Sequence, residues 1–318
     1  MHKLQLTPKL LAFLFCCLTS GNLFAQADTL KILHITDLHV IFNQAGYHPD
    51  MIESRKLKQY DQGENRLRQF LQEVPEKTNS DLVIGTGDLV DFFEAETKDI
   101  KMMDLQAEQF SRLINDYRTP VLLTLGNHDL FTFYWRDSKL THTQNFSGRA
   151  RAAWTKNFDC FKNGTYYSKI FNVDQTTYRL IFLDDSFYQF LPEDKFEVPY
   201  IDKAQLYWLN DQLNESENDV EIILMHIPLM DPAIHPKQSK ELYSALAKHP
   251  STKLILSGHH HKNLVAVFPS ADNNELTQVQ TGSLVQDTES WRLIRLTEKN
   301  ILVSVPGKTE NELVIPVK

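Results

Sequence analysis

Five short segments of this 318-residue chain place Asp, Asn and His residues at spacings that suit divalent metals. They are Asp37-Leu38-His39, Gly87-Asp88-Leu89-Val90-Asp91, Gly126-Asn127-His128-Asp129, Met225-His226-Ile227-Pro228 and Gly258-His259-His260-His261. Their donors are oxygen and imidazole nitrogen without thiolate, a set that suits Mn²⁺, Fe²⁺, Co²⁺ or Zn²⁺. Asp37, His39 and His261 can complete one ion, and Asn127, His226 and His259 a second. Asp88 is the carboxylate expected between them. Two divalent ions a few ångströms apart need an anion that offsets their repulsion and fixes their spacing. Gly87 lets the backbone turn tightly beside it.

Charge then narrows the chemistry. Two divalent ions with Asp37 and Asp88 leave the site at roughly +2, so it attracts an anion and acidifies a water held between the ions. Such a hydroxide is an in-line nucleophile on phosphorus. The expected substrate is a small phosphate ester, with a diester monoanion slightly favoured because it neutralises the hydroxide-loaded site. His128 is expected to donate a proton to the leaving oxygen, with Asp129 fixing its tautomer. Asp91 is expected to orient the loop or a ligand histidine. A phosphomonoesterase, a pyrophosphatase or a catalytically weak binding protein is the alternative on the same metals. Converging Arg136, Arg149 and Arg151 would favour a terminal dianionic phosphate, and an aromatic, uncharged wall a diester.

Each segment needs an element to position it. The apolar runs Leu30–Ile35, Leu82–Ile84, Val121–Leu123, Tyr178–Leu183, Glu221–Met225 and Lys253–Leu256 read as strands buried on both faces. Asp37, Asp88, Asn127 and His259 follow the first, second, third and last of these, and His226 ends the fifth. In α/β sheets ligands bind beyond the carboxyl ends of strands, so this regularity supports one crevice. Helices are expected over Gly63–Val74, Ile100–Tyr117 and Lys203–Leu213, the last capped by Asp202. Leu264–Phe268, Leu276–Thr281, Trp291–Thr297, Ile301–Pro306 and Leu313–Val317 are shorter and alternate, and are expected to complete a second sheet as antiparallel strands. The expected fold is an α/β four-layer α/β/β/α sandwich, one domain over residues 28–318. Val40–Asp61, Leu130–Arg151 and Ser186–Tyr200 read as aromatic-rich insertions that start at strand ends, with two readings of equal weight: aromatics that wall the crevice, or aromatics that pack the insertions onto the body.

Composition is that of a globular chain, 42% hydrophobic and 23% charged. Residues 1–27 have a basic start, an apolar run over Leu10–Leu18 and an Ala25-Gln26-Ala27 cleavage pattern. The run is about half the ~20 residues a spanning helix needs, so cleavage is expected rather than a stable membrane anchor, with a periplasmic or secreted product. Without that segment 31 basic residues face 41 acidic ones, which argues against a nucleic-acid polymer as partner. Cys160 is then the single cysteine, so core burial must supply stability. His34 is expected to be a satisfied core residue and His260 to point away from the ligands. His48, His142 and His235 fall on loops.

Taken in order, Asp37-x-His39, Gly87-Asp88-x-x-Asp91, Gly126-Asn127-His128-Asp129, His226 and Gly258-His259-x-His261 resemble the calcineurin-like metallophosphoesterase superfamily. The motifs span residues 37–261, and as a set they are highly specific. The resemblance implies the α/β/β/α sandwich, a dinuclear site held by Asp37, His39, Asp88, Asn127, His226, His259 and His261, and phosphate-ester hydrolysis assisted by His128. Members with a tyrosinate-bound ferric ion have Tyr where this chain has Asp91, so a purple ferric centre is not expected. Many members carry Glu at the position of Asp129, which keeps the carboxylate. Exported relatives include nucleotide, cyclic-nucleotide and sphingomyelin-type phosphodiesterases.

Overall fold

Alternation along β1 (Thr29–Ile35) decides the layering. Leu30 and Ile32 enter one apolar cluster and Leu33 and Ile35 another, as a strand's period of two requires. The structure, a computed structural model, describes residues 28–191, 196–229 and 236–317. The expected leader over residues 1–27 and His235 lie outside the described residues.

The chain continues through α1 (Pro49–Lys56), α2 (Gly63–Thr78), β2 (Leu82–Thr86), β3 (Glu94–Glu96), β4 (Met102–Met103), α3 (Gln106–Asn115) and β5 (Val121–Thr124). A hairpin of β6 (Thr132–Arg136) and β7 (Lys139–Thr143) precedes α4 (Ser147–Asn157). Then come β8 (Tyr167–Val173), β9 (Thr176–Phe182), β10 (Phe187–Leu191), β11 (Phe196–Tyr200), α5 (Lys203–Glu215), β12 (Val220–Leu224), α6 (Pro236–Ala247) and β13 (Thr252–Ser257). The last strands are β14 (Leu264–Pro269), β15 (Glu275–Gln280), β16 (Arg292–Thr297), β17 (Asn300–Ser304) and β18 (Asn311–Pro316).

Two six-stranded sheets stack face to face, one ordered β18-β17-β16-β1-β2-β5 and the other β14-β15-β13-β12-β9-β8. Ile32, Ile84, Leu180, Leu224, Leu256 and Ile294 fill the space between them. Outside the first sheet, Leu67, Phe70, Phe110, Leu113 and Trp154 of α2, α3 and α4 cover its face. Outside the second, Leu209, Leu213, Leu242 and Leu246 of α5 and α6 do the same. The architecture is the expected α/β/β/α sandwich. Asp202 caps α5 as expected, its carboxylate accepting the Ala204 and Gln205 amides.

The strands after residue 263 depart from expectation. They do not complete the second sheet alone but divide between both. β15 extends the second sheet parallel to β13, with β14 antiparallel outside it. β16 instead crosses to the first sheet and pairs antiparallel with β1, followed by β17 and β18. Alternation marks these segments as half-buried strands, but it does not say which of two stacked sheets offers a free edge. The three insertions are also more ordered than loops. They carry α1, the β6–β7 hairpin and the β10–β11 hairpin. The helix expected from Ile100 starts only at Gln106, after β4. Among the described residues no helix is long and apolar enough to cross a membrane.

Candidate metal centre

The parallel strands β1, β2 and β5 of one sheet and β12 and β13 of the other deliver all five motif segments to one place. The turn after β1 is laced to the turn after β2. The Asp37 amide donates to Gly87 O, the Leu38 and His39 amides to Asp88 O, and the Val40 amide to Leu89 O. The backbone at the motif turns is unusual. Asp37 (φ 52°), His39 (φ 41°), Asp88 (φ 50°), His259 (φ 75°) and His261 (φ 56°) all lie in the left-handed region. Each such residue costs on the order of 1–3 kcal/mol, and surrounding structure must hold it there.

The motif glycines serve mainly a different need. Only Gly87 among them has a positive φ (83°). A Cβ at Gly126 would stand 2.2 Å from the Asp88 amide nitrogen, and one at Gly258 would stand 2.0 Å from Thr36 Oγ1 and 2.5 Å from Asp37 Oδ2. These glycines let two loops close on a carboxylate, while the expected ligand residues bear the left-handed turns.

The expected ligands gather in two adjoining groups. His39 Nε2 and His261 Nε2 lie 3.1 Å apart, and Asp37 Oδ1 is 3.2 Å from His261 Nε2. Beside them His226 Nε2 and His259 Nδ1 are 3.3 Å apart. Asp88 Oδ2 stands between the groups, 3.6 Å from His39 Nε2 and 3.3 Å from His226 Nε2. Asn127 Oδ1 is buried and accepts no hydrogen bond. An orphaned buried oxygen is rare and needs a partner. Imidazole nitrogens facing one another around carboxylates fit the demands of a divalent metal. Donor atoms of Asp37, His39 and His261, and of Asp37, Asp88 and His226, lie within 4.8 Å of one another.

Hydrogen bonds fix which atom each residue offers. His226 Nδ1 bonds Thr86 O at 2.8 Å, which makes it the N–H and leaves Nε2, facing Asp88, as the atom the ring can offer to a metal. Asp37 accepts from the His259 amide (3.0 Å) and Thr36 Oγ1 (3.0 Å). Asp88 Oδ1 accepts the His128 amide at 2.8 Å. His128 Nδ1 bonds Asp91 O at 2.7 Å, with Asp91 Oδ1 a further 3.3 Å away. Asp129 therefore does not fix the His128 tautomer. Its carboxylate accepts the Val90 amide (2.9 Å) and the Gly126 amide (2.7 Å), tying the turns after β2 and β5 together. Asp91 is the orienting group, and it also faces His39 Nδ1 at 3.3 Å.

Three participants have no counterpart among the expected residues. Asp185 accepts the His226 and Ile227 amides at 3.2 and 2.7 Å. It lies two residues past the apolar run ending at Leu183, so the strand-end rule that found the other segments covers it too. Arg55 of α1 binds Asp91 through two hydrogen bonds, and Tyr60 stacks flat on His39 with ring centroids 4.0 Å apart. Neither carries a local sequence signal.

Electrostatics show a site rich in negative charge. Burial favours a neutral His226, yet Asp88, Asp37 and Asp185 push it up to about 10. His128 and His261 are raised likewise against burial, by Asp88 and Asp91 and by Asp37 respectively. Burial, then the Asp88 charge, push Asp129 up to about 8, and a cation at Asp88 would offset the second of these. Carboxylate–imidazole groups that draw protons this strongly also draw divalent cations, which compete with those protons.

His34, beneath the site, is the satisfied core residue expected. Its ring nitrogens meet Thr86 Oγ1 and Thr281 Oγ1, each at 2.8 Å. Burial, then Arg292, lower it to about 3. The folded value lies below the unfolded one near 6.5, so its stabilising contribution is complete above pH 6.5 and is lost as pH falls from 6.5 towards 3. His34→Gln is therefore expected to lose about 2 kcal/mol less than wild type between pH 7 and pH 5, measured by urea unfolding.

Around His128 the walls are aromatic. Phe131 and Phe133 lie 5.3 and 5.8 Å from its ring, and His142 stacks on Phe131 at 4.5 Å. Phe131 and Phe133 also pack their insertion onto the body, buried beside Tyr47, Met51 and Phe92. Each of the three candidate arginines is held by a carboxylate: Arg136 by Glu96, Arg149 by Glu94, and Arg151 by Asp184 at 2.8 Å. His260 is exposed, as expected, and His48 stacks on Trp135 at 5.7 Å.

Known proteins resemble this chain in sequence and fold. A family model described as calcineurin-like phosphoesterase matches residues 30–263. Serine/threonine-protein phosphatase CPPED1 of Pongo abelii is 25% identical over 211 residues, 62% of this chain and 59% of that protein's length. The fold matches a dimetal phosphatase of Danio rerio (TM-score 0.58, 15% identity, covering 91% of this chain and 99% of that one). It also matches GAP50, described as the anchor in the inner membrane complex of Plasmodium (TM-score 0.51, 13% identity, 91% and 89% covered). With its Asp-, Asn- and His-bearing turns gathered at the strand ends and the family model spanning them all, the chain belongs to the calcineurin-like phosphoesterases.

Proposed function

We propose that the chain is an exported phosphodiesterase working with two divalent metal ions. Asp37, His39 and His261 would hold one ion, Asn127, His226 and His259 the other, and Asp88 both. The bound metals would supply positive charge for the phosphoryl oxygens and lower the pKa of a water. Asp37 and Asp88 balance part of that charge, leaving a net attraction for an anionic ester. His128, with Nδ1 committed to Asp91 O, keeps Nε2 to carry a proton towards the leaving oxygen.

The observation that favours a diester is the state of the three arginines. Arg136, Arg149 and Arg151 each commit their charge to a carboxylate, and the rings of Phe131 and Phe133 pack against His128. A terminal dianionic phosphate would call for a converging guanidinium, and a diester with an apolar or aromatic substituent would not. Protein stripped with chelator and reloaded with Mn²⁺, Zn²⁺, Fe²⁺ or Co²⁺ is expected to hydrolyse an aryl phosphodiester faster than the matching monoester. Faster monoester turnover would point to phosphomonoester hydrolysis, the reading suggested by the name of the Pongo abelii relative. Metal binding without turnover of either would favour a binding protein, the reading closest to GAP50's description as an anchor. Export rests on the leader-like residues 1–27. Intact mass of the exported protein should correspond to a chain beginning at Asp28, and a full-length mass would overturn it.

A further inference from the structure

A third group of potential metal donors adjoins the centre. Donor atoms of His39, Asp91 and His128 also lie within 4.8 Å of one another. A cation of the chain's own already engages it. Arg55 Nε donates to Asp91 Oδ2 at 2.7 Å and Arg55 Nη2 to Asp91 Oδ1 at 2.6 Å, so both carboxylate oxygens are engaged by one planar fork. The pair is buried, with side-chain exposures of 6% and 0%. Asp91 Oδ1 is the same oxygen that faces His39 Nδ1 and His128 Nδ1, each at 3.3 Å.

The guanidinium is itself held in place. Its carbon stands 4.7 Å from the centroid of the Tyr60 ring and 5.5 Å from that of Phe133. The Tyr60 ring in turn lies flat on His39, at 4.0 Å and an interplanar angle of 4°. Arg55 and Tyr60 thus grip His39 from two directions, one through Asp91 and one by direct stacking. Both come from the insertion after β1, from α1 and the turn before α2, and not from the sheets that carry the ligands. In the second group, His226 takes its orientation from Thr86 O, a sheet residue.

We propose that Arg55 is a positioning residue that reserves Asp91 for orienting His39 and His128 and keeps it from ligating metal. The insertion from α1 to Tyr60 is then part of the machinery that builds the His39 metal position. Without the guanidinium, Asp91 is a buried carboxylate with open oxygens beside two imidazoles, and it competes with Asp37 and His261 for the ion. The Asn127–His226–His259 position does not depend on Arg55. This inference rests on the two-ion reading above.

Arg55→Ala and Arg55→Lys, purified as full chains and stripped with chelator, can be titrated with Mn²⁺ by equilibrium dialysis and followed by electron paramagnetic resonance. Wild type is expected to bind two ions with the spectrum of an exchange-coupled pair. Arg55→Ala is expected to hold one ion as tightly as wild type, to bind the second about 10–100-fold more weakly, and to lose the coupled spectrum at equal occupancy. Arg55→Lys keeps the charge but not the two-pronged grip, and should fall between them. A circular-dichroism melt checks that each variant is folded, and Arg55→Lys alone carries the test if Arg55→Ala is not. Wild-type affinities and a coupled spectrum in Arg55→Lys, or in folded Arg55→Ala, would overturn the proposal. A wild-type protein that binds a single ion would instead overturn the two-ion reading.

Discussion

Asp88→Asn is expected to lower metal-supported turnover by about 10³-fold or more, the equivalent of several kcal/mol of lost charge stabilisation. The substitution keeps the shape of the side chain and changes its chemistry. Asp88 Oδ1 accepts the His128 amide, which an asparagine oxygen can also do. Its amide group then takes the place of Oδ2, 3.3 Å from His226 Nε2 and 3.6 Å from His39 Nε2. N–H groups would face two imidazole nitrogens whose lone pairs are needed for metal, and one of the two carboxylate charges of the centre would be gone. Thermal denaturation gives a second readout. Wild type in Mn²⁺ at 100 times its Kd should gain about 2.7 kcal/mol per bound ion over the stripped protein, and the variant should lose most of that gain. Turnover within tenfold of wild type, with the same metal-dependent gain, would remove Asp88 from between the two groups.

Much of that site is legible from the sequence because strand ends are legible. Runs such as Leu82–Ile84 and Val121–Leu123 announce buried parallel strands, and polar residues just beyond them fall at one crevice. Asp185 shows the rule reaching further than a motif search does. It stands two residues past Tyr178–Leu183, belongs to no expected segment, and nevertheless holds the backbone of His226. Partners drawn from elsewhere in the chain are a different matter. Arg55 reaches Asp91 across 36 positions from a short helix in an insertion, and no periodicity predicts such a meeting. Adjacency misleads at Asp129, which neighbours His128 in sequence but turns to the Val90 and Gly126 amides. Two residues in succession around a tight turn rarely address the same group.

The same distinction governs the fold. Four layers follow from apolar runs alternating with amphipathic helices, because both sheet faces must be covered. The partition of the C-terminal strands does not follow. β1 has one flank taken by β2 and the other open to β16, and that choice depends on edge availability in the assembled sandwich. Nor is backbone strain visible in residue type. Asp37, His39 and His261 take left-handed turns where glycine would be the easy choice, because a glycine there would supply no ligand.

His128→Ala tests the proton-carrying side of the reading, and its effect should depend on the leaving group. With Nδ1 on Asp91 O and its ring edge-on to His39 at 4.5 Å, His128 is held beside the metal centre. It is not needed for either ligand set. Loss of a positioned general acid costs typically about 10²–10⁴-fold in kcat. That loss should be largest for an alkyl diester, whose alkoxide leaves poorly without a proton. It should shrink towards the lower end for a nitrophenyl diester, whose phenolate leaves unaided. Metal stoichiometry should stay at the wild-type value, which separates this variant from Asp88→Asn. Burial favours the neutral ring, but Asp88 and Asp91 raise its pKa above the ordinary histidine value. Bound cations would offset part of that rise, so the alkyl-ester rate should decline on the alkaline side as the proton is lost, and the variant should lack that decline. An equal loss for both leaving groups would assign His128 to holding the phosphoryl oxygens instead of protonating the departing one. Metal content falling in step with activity would make it a ligand, and the division of residues between metal binding and proton transfer would have to be redrawn around Asp91 and Arg55.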